Sequence, residues 1–278
     1  MWRKLALGSK AARPAALGIL WLTLGFFVGC SVNPLTGEDE FMLFGEEQDV
    51  ELGANYAPEV EKELGGRIED SALQSYIDGV GQKVARVSHK PGFKYTFIAV
   101  KDKSTNAVAL PGGWVFITKG MLTKLKSESQ LAGVLAHETA HITARDVSNA
   151  MSNQIGMEIL LAAVATSAKS GAVMTAADLA GQIVALRFSR DDERTADLGG
   201  MGYMVDAGYN PYGMVETMEM LEHEQTLQPI EFLSTHPSPE NRVAYLRQRI
   251  QTHYFNKAEG LSVGREDYSR IVLEKLKD

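Results

Sequence analysis

The chain has 278 residues, of which 45% are hydrophobic and 23% are charged. These ordinary globular values exclude a wholly disordered chain and a fibrous repeat. Lys and Arg number 28 against 35 Asp and Glu, so the formal net charge is −7. A chain this acidic is a poor ligand for nucleic acid, and no nucleic-acid partner is expected.

The N-terminal segment has the pattern of a targeting sequence. Basic residues come first, and a charge-free apolar stretch follows from Ala15 to Gly29. That stretch is shorter than the roughly 20 residues of a membrane-spanning helix, so residues 1–29 are predicted to be a secretory signal peptide. Cys30 follows directly and is the chain's one cysteine. A free thiol behind an uncleaved anchor is the alternative interpretation.

Residues 27–30, Phe-Val-Gly-Cys, resemble the lipobox of bacterial lipoproteins, in which the cysteine is lipidated and becomes the mature N-terminus. The resemblance implies a lipid anchor on Cys30 and a protein of the cell envelope that faces the periplasm. Ser31 follows the cysteine, and by analogy with enterobacterial lipoproteins it directs the protein to the outer membrane. The polar, turn-rich residues 30–45 are then predicted to be a tether.

Helix and strand patterns alternate in the next part of the chain. Mixed acidic and apolar residues indicate a helix at 46–64, and a 3.6-residue apolar period predicts a second helix after Asp70. Alternation predicts a strand at 93–100, and Trp114–Thr118 is predicted to be another strand. A small sheet thus precedes a long helical remainder, which favours an α+β fold.

The segment His137-Glu138-Thr139-Ala140-His141 lies within a helix that Ser127 is predicted to cap. Histidines four residues apart project from one helix face on successive turns, so both imidazoles can reach one metal ion. Glu138 lies next to the first histidine, where its carboxylate can act as a general base without being a ligand. The neighbouring residues are apolar, and buried histidines beside an acid need a partner. One zinc ion is the predicted cofactor.

A catalytic zinc site needs a third protein ligand. Glu193 and Asp197 share a helix face one turn apart, so Glu193 can bind zinc while Asp197 braces a ligand histidine. Spacing alone leaves this assignment open, because a helix with so many charges is as often a solvated surface.

Four segments, taken together, resemble one family of zinc metallopeptidases. They are Asn106–Gly113, His137–His141, Glu193–Asp197 and Ala207–Pro211. The family includes the CAAX prenyl protease Ste-type enzymes, HtpX, the mitochondrial Oma-type protease and, with the greatest similarity, periplasmic bacterial lipoprotein peptidases. The resemblance assigns zinc binding to His137, His141 and Glu193. It assigns the general base to Glu138 and the orientation of a ligand histidine to Asp197.

Thr235-His236-Pro237, followed by Arg242, resembles the family's late His-Pro element, whose histidine is assigned to stabilisation of the tetrahedral intermediate. In many members a second proline follows directly, whereas here Ser238 separates Pro237 from Pro239. The resemblance makes His236 a second catalytic residue. An ordinary histidine at a helix entry is the alternative.

The resemblance also implies a zincin-like fold, mostly helical, with a small sheet whose edge strand borders the active-site cleft. Trp114–Thr118 is the predicted edge strand, with which an extended polypeptide can pair. Residues 46–252 are assigned to the metallopeptidase domain and 253–278 to a C-terminal tail. The predicted function is a zinc endopeptidase of the bacterial cell envelope that cuts unfolded or misfolded envelope proteins.

Two other functions stay open at this point. One is a non-proteolytic chaperone or assembly factor that retains a structural zinc. The other is a metal-dependent hydrolase of a non-peptide envelope substrate. The apolar stretch Ile155–Ala168 is interpreted as an amphipathic helix rather than a membrane span, because it has 14 residues and contains Glu158.

Overall fold

The computed structural model describes residues 29–154 and 176–277. The predicted signal peptide therefore lies, apart from Gly29, outside the described residues, and so does the stretch Ile155–Ala168. The side chain of Cys30 is also outside the description. Among the helices in the described ranges, none has both the length and the hydropathy that crossing a membrane requires.

An antiparallel hairpin opens the described chain. Strand β1 (Gly29–Val32) pairs with β2 (Asp39–Met42), and a left-handed Gly37 helps to close the turn between them. The backbone N–H of Leu43 then donates a hydrogen bond to Ser152 Oγ at 3.0 Å. The polar residues that predict a tether at 30–45 thus supply the turn of a hairpin, and the chain after this hairpin is bonded to the domain.

A three-stranded mixed sheet lies at the centre of the fold. Its strands are β3 (Thr96–Val100), β4 (Ala107–Leu110) and β5 (Trp114–Thr118), in the order β3-β5-β4. Strand β5 pairs with β3 in parallel and with β4 in antiparallel fashion, so β4 is an edge and β5 is central. The prediction that Trp114–Thr118 is the edge strand was therefore wrong. Strand β4 escaped the sequence analysis because all four of its residues are buried and show no alternation.

Helices make up most of the remaining described chain, which confirms a mostly helical α+β fold with a small sheet. The helices are α1 (Glu46–Glu63), α2 (Ser71–Ala85), α3 (Lys119–Lys124), α4 (Glu128–Ala144), α5 (described over 146–154), α6 (Ala176–Val184), α7 (Arg190–Asp206), α8 (Tyr212–Gln225), α9 (Glu231–Thr235), α10 (Arg242–Arg249), α11 (Phe255–Ala258) and α12 (Arg265–Tyr268).

Helix α4 is the central helix of the fold. Ser127 caps it by accepting a hydrogen bond from the backbone N–H of Gln130 at 3.2 Å. Every residue from Ser129 to Ala144 is buried, because α2, α7, α8 and strand β4 all pack against this helix. It ends at Arg145, whose backbone is left-handed at φ 65°. A helix buried on all sides carries its polar side chains into the interior.

The segment from His253 onward is folded against the domain. A π-helical stretch, Ile250–Tyr254, runs across the assigned boundary at 252, so the structure has no break there. Further on, the buried Tyr268 donates a hydrogen bond to the carbonyl of Leu122 at 2.7 Å. The predicted division into a 46–252 domain and a 253–278 tail thus separates residues that share one hydrophobic core.

Candidate active site

Four buried side chains converge from three parts of the fold. His137 and His141 lie on α4, Glu193 lies on α7, and His236 follows α9. One nitrogen or oxygen atom from each residue lies within 4.8 Å of the corresponding atoms of the others. The structure thus brings together the three predicted metal ligands and the predicted second catalytic residue.

The start of α7 explains how Glu193 reaches this position. Ser189 Oγ accepts a hydrogen bond from the backbone N–H of Asp192 at 3.1 Å, and Asp192 accepts one from the N–H of Ser189 at 2.8 Å. This capping box fixes the first turn of the helix. Glu193 lies in that turn and is fully buried against α4.

The spacing of three side chains fits a single metal ion. His137 Nε2 lies 3.1 Å from His141 Nε2. The two Glu193 oxygens lie 3.4 Å from His137 Nε2 and 3.3 Å from His141 Nε2, respectively. Ligands at about 2.0–2.1 Å from a tetrahedral ion lie about 3.3 Å from one another. The three residues therefore have the separations that a shared tetrahedral ion demands.

Glu138 lies beside this cluster. It is fully buried, and neither carboxylate oxygen has a hydrogen-bond partner among the described residues. A buried carboxylate without a partner is costly by several kcal/mol. A metal ion held by the neighbouring ligands, with a water molecule between the ion and Glu138, would supply this carboxylate with a partner. The residues present therefore fit a metal ion.

Asp197 lies behind the first ligand histidine. Its Oδ1 is 3.0 Å from His137 Nδ1, although the ring nitrogen is not aligned for a hydrogen bond. Arg242 donates two hydrogen bonds to Asp197, at 2.7 and 2.8 Å, and the Tyr245 hydroxyl donates another. Burial raises the pKa of Asp197, but Arg242 and His137 outweigh it and bring the pKa below its usual range. Arg242 was expected only as part of the late His-Pro motif, and neither Arg242 nor Tyr245 was predicted to support the site.

Asp146 is a site residue that the sequence analysis missed. Its Oδ2 lies 2.7 Å from His141 Nδ1, and both side chains are buried. Burial raises the pKa of Asp146 to about 6. Burial lowers the pKa of His141, but hydrogen bonds to Asp146 and Glu193 outweigh it and raise that pKa well above its ordinary value. The signal in the sequence was an acid just beyond the end of the helix, five residues after the ligand.

Glu193 interacts electrostatically with all three histidines of the cluster. Burial raises its pKa, but His236 and His137 outweigh that effect and lower the pKa well below its usual range. Burial lowers the pKa of His137, whereas Glu193 and Asp197 outweigh burial and raise it. Glu193 is thus an anionic donor among imidazoles, and Arg242 Nη2 lies 3.2 Å from its Oε2.

His236 lies in direct contact with the predicted metal ligands, whereas its predicted role, stabilisation of the tetrahedral intermediate, requires only a contact with the substrate. Its Nδ1 is 2.8 Å from Glu193 Oε1 and 3.4 Å from His137 Nε2, while its Nε2 is 3.7 Å from Glu138 Oε1. The ring stacks on Phe232 with centroids 4.3 Å apart, and burial lowers its pKa. The same imidazole can therefore act as a fourth donor to a metal ion or as a contact to substrate.

Strand β4 runs beside the cluster. Ala107, Val108 and Ala109 line a small cavity, with room for about one water molecule, together with Phe188 and His236. The edge strand beside the site, which the fold class implies, is therefore β4. The Thr118 N–H bonds the carbonyl of Asn106, so the alternating ladder leaves the backbone groups of Ala109 pointing away from β5.

The chain is similar to one peptidase family and to several characterised proteases. The sequence profile of peptidase family M48 matches residues 71–250, more than half of the chain. The beta-barrel assembly-enhancing protease of Escherichia coli is 28% identical over 265 residues, which cover 90% of this chain and 53% of that protein. The mitochondrial metalloendopeptidase OMA1 of Schizosaccharomyces pombe is 28% identical over 237 residues, covering 80% and 67% of the two chains. The chain spans about half the length of the bacterial relatives that it matches.

Proposed function

The chain belongs to peptidase family M48, and from that premise we propose that it is a zinc-dependent metalloendopeptidase. The observation that carries the proposal is the arrangement of His137, His141 and Glu193 around one point, with the Glu138 carboxylate beside it, which has no hydrogen-bond partner among the described residues. Metalloendopeptidases are also named among the relatives.

The proposed cofactor is one zinc ion held by His137, His141 and Glu193. Two imidazoles and one carboxylate at tetrahedral separations suit zinc. When bound, zinc would act as a Lewis acid and lower the pKa of a coordinated water to about 7.

The protein's own residues supply the proton transfers. Glu138 is the proposed general base, because its oxygens have no hydrogen-bond partner among the described residues and lie next to the ligand cluster. It would accept the proton of the attacking water and pass it to the leaving amine of the cut peptide. Asp197 would keep the imidazole of His137 in place during these steps.

His236 is the proposed contact to the substrate's carbonyl oxygen, the role that the family resemblance implies. Catalysis needs a metal position for water, so three protein donors, His137, His141 and Glu193, would hold the ion and His236 would be left to contact the substrate. A hydrogen bond from the ring to the developing oxyanion would then lower the barrier.

The proposed substrates are extended polypeptides. The backbone groups of Ala109 that point away from β5 would pair with an extended chain through main-chain hydrogen bonds once the residues that bury β4 are displaced, and a compact protein cannot offer such bonds. Unfolded or misfolded proteins of the bacterial envelope fit this requirement, and the name beta-barrel assembly-enhancing protease among the relatives supports that setting. The signal peptide at 1–29 and a lipid anchor on Cys30 would place the enzyme at the periplasmic side of the outer membrane.

Cleavage and metal content measured on the same samples test the proposal. We expect wild type, Glu138→Gln and the control Glu47→Gln, which changes an exposed side chain of α1, each to hold about one zinc per chain. Wild type and the control should cut casein, an unfolded protein, and Glu138→Gln should not.

Undiminished cleavage by Glu138→Gln would refute the assigned general base. Zinc in all three proteins with no cleavage by any of them would refute the peptidase and favour the chaperone or assembly factor. Turnover of cell-wall or lipid material without cleavage of casein would favour the hydrolase of a non-peptide substrate.

A further inference from the structure

We infer that Asp146 is a positioning residue of the metal centre: its carboxylate fixes the orientation of the His141 ring. The position of Asp146 in turn depends on Arg145, which Asp49 holds. This inference rests on the proposed metal site and deepens it. It extends the centre to residues before position 71, where the match to the family profile begins.

Contacts on two sides hold the His141 ring. Asp146 Oδ2 lies 2.7 Å from its Nδ1, and Phe188 stacks on its face with centroids 4.2 Å apart at 17°. A carboxylate that accepts a hydrogen bond from Nδ1–H keeps the proton on Nδ1 and leaves the lone pair on Nε2, the nitrogen that faces His137 and Glu193. Asp146 thus selects the tautomer and the direction that metal binding requires.

The two acids behind the ligand histidines are not equivalent. Asp197 lies 3.0 Å from His137 without hydrogen-bond alignment, and Arg242 and Tyr245 share its oxygens. Asp146 is aligned with His141, and among the ion pairs of the described residues it has His141 as its partner. Its negative charge therefore acts mainly on that imidazole, which makes His141 the more strongly oriented ligand.

The backbone of Arg145 explains why Asp146 can reach back to His141. Arg145 has a φ of 65°, a left-handed conformation that is unfavourable for a residue with a Cβ. Arg145 separates the end of α4 from the start of α5. The next residue, Asp146, therefore lies beside the last turn of α4. Five residues separate His141 from Asp146, and the reversal at Arg145 brings them into contact.

Interactions of the Arg145 side chain stabilise this backbone. Its Nε donates a hydrogen bond to Asp49 Oδ2 at 2.6 Å, and its Nη1 donates one to Ser31 Oγ at 3.2 Å. Asp49 accepts a further hydrogen bond from Ser148 at 2.8 Å and is almost fully buried. Helix α1 and strand β1 therefore hold the turn that carries Asp146.

Metal affinity and a cobalt spectrum test the inference without reference to peptide cleavage. We expect zinc to bind metal-stripped Asp146→Ala about 10- to 100-fold more weakly than wild type. Asp146→Asn keeps an acceptor oxygen for the His141 N–H, so it should recover part of that loss. Asp49→Ala should weaken zinc binding in the same direction by a smaller factor. The visible absorption of bound cobalt(II) should change in Asp146→Ala, because one ligand is no longer fixed.

Asp191→Ala is the matched control, since it removes an exposed carboxylate in the first turn of α7. Zinc affinity of Asp146→Ala within twofold of this control, with an unchanged cobalt spectrum, would overturn the inference. If Asp146→Ala does not fold, Asp146→Asn decides: affinity and spectrum equal to wild type overturn the role, and a several-fold loss supports it. A wild type that binds zinc with this dependence on Asp146 but cuts no polypeptide would refute the proposed function alone.

Discussion

Arg242 and Asp197 form a buried ion pair through two hydrogen bonds, at 2.7 and 2.8 Å, directly behind the ligand histidine His137. The Arg242 side chain is 1% exposed, and it also lies 3.2 Å from Glu193. Two carboxylates of α7 thus share one guanidinium of α10. Buried charges are poorly solvated, so each of these three groups needs the opposite charge of its neighbours to offset the cost of burial.

Removal of Arg242 should therefore destabilise the fold itself. We expect Arg242→Met to lower the free energy of unfolding by about 3–5 kcal/mol, because it leaves Asp197 and Glu193 buried without their cation. Urea unfolding with chelator present measures this separately from metal binding. The control is Arg247→Met, which breaks an exposed pair with Glu219 and should cost less than about 1 kcal/mol. Equal losses in the two variants would contradict the stabilising role of the buried pair.

The contact between α4 and α7 at Gly200 should tolerate no side chain. A Cβ at Gly200 would lie 2.9 Å from the carbonyl oxygen of Ala136 and 3.0 Å from the backbone nitrogen of His137. We expect Gly200→Ala to push the helices apart, to cost about 1–3 kcal/mol and to weaken zinc binding, because the helices carry different ligands.

Gly202→Ala on the same helix provides the comparison. A Cβ at Gly202 would meet the Tyr254 hydroxyl at 3.5 Å, an ordinary contact. Alanine there should be neutral or stabilise by up to about 1 kcal/mol through helix propensity. Thermal unfolding and zinc titration of both variants measure the difference. Wild-type zinc affinity in Gly200→Ala would show that the helix spacing does not control the site.

Metal removal should lower the thermal stability of the wild type. A ligand that binds only the folded state at 100 times its dissociation constant stabilises that state by about 2.7 kcal/mol. Scanning calorimetry with and without a chelator should show a fall in Tm for wild type. His137→Ala lacks one ligand and should respond much less. An equal response of the two proteins would place the metal somewhere other than the His137 cluster.

His236 should affect turnover more than metal content. Three ligands remain in His236→Ala, so we expect about one zinc per chain and a kcat for casein lower by about 100-fold, the effect of losing one oxyanion donor. Steady-state kinetics with metal analysis provide the measurement. Faster cleavage by His236→Ala would mean that the ring mainly closes the site as a fourth donor and would contradict its catalytic role.

Local pattern predicted the helix that carries His137 and His141, because ligand spacing and burial are properties of one continuous segment. Glu193 lies on another helix, so spacing alone left its role open until the family resemblance was considered. The sequence shows Asp146 as an acid just beyond the helix end, but spacing alone does not reveal its contact with His141, because that contact depends on a left-handed Arg145 that Asp49 stabilises across the fold. Strand β4 was missed for a different reason: all four of its residues are buried, so they lack the alternation of a half-exposed strand.

The anchoring of the C-terminal segment on helix α4 also sets an order of events during synthesis. Glu128, in the first turn of α4, donates its backbone N–H to the carbonyl of Gly264, and its carboxylate accepts from the Tyr209 and Tyr76 hydroxyls. Tyr268 bonds to Leu122, 146 positions earlier. A contact of such long sequence separation cannot form before both of its residues have been synthesised. Helix α4 thus acquires its complete surroundings only after synthesis has passed Tyr268, so a nascent chain carries both ligand histidines long before it can use them.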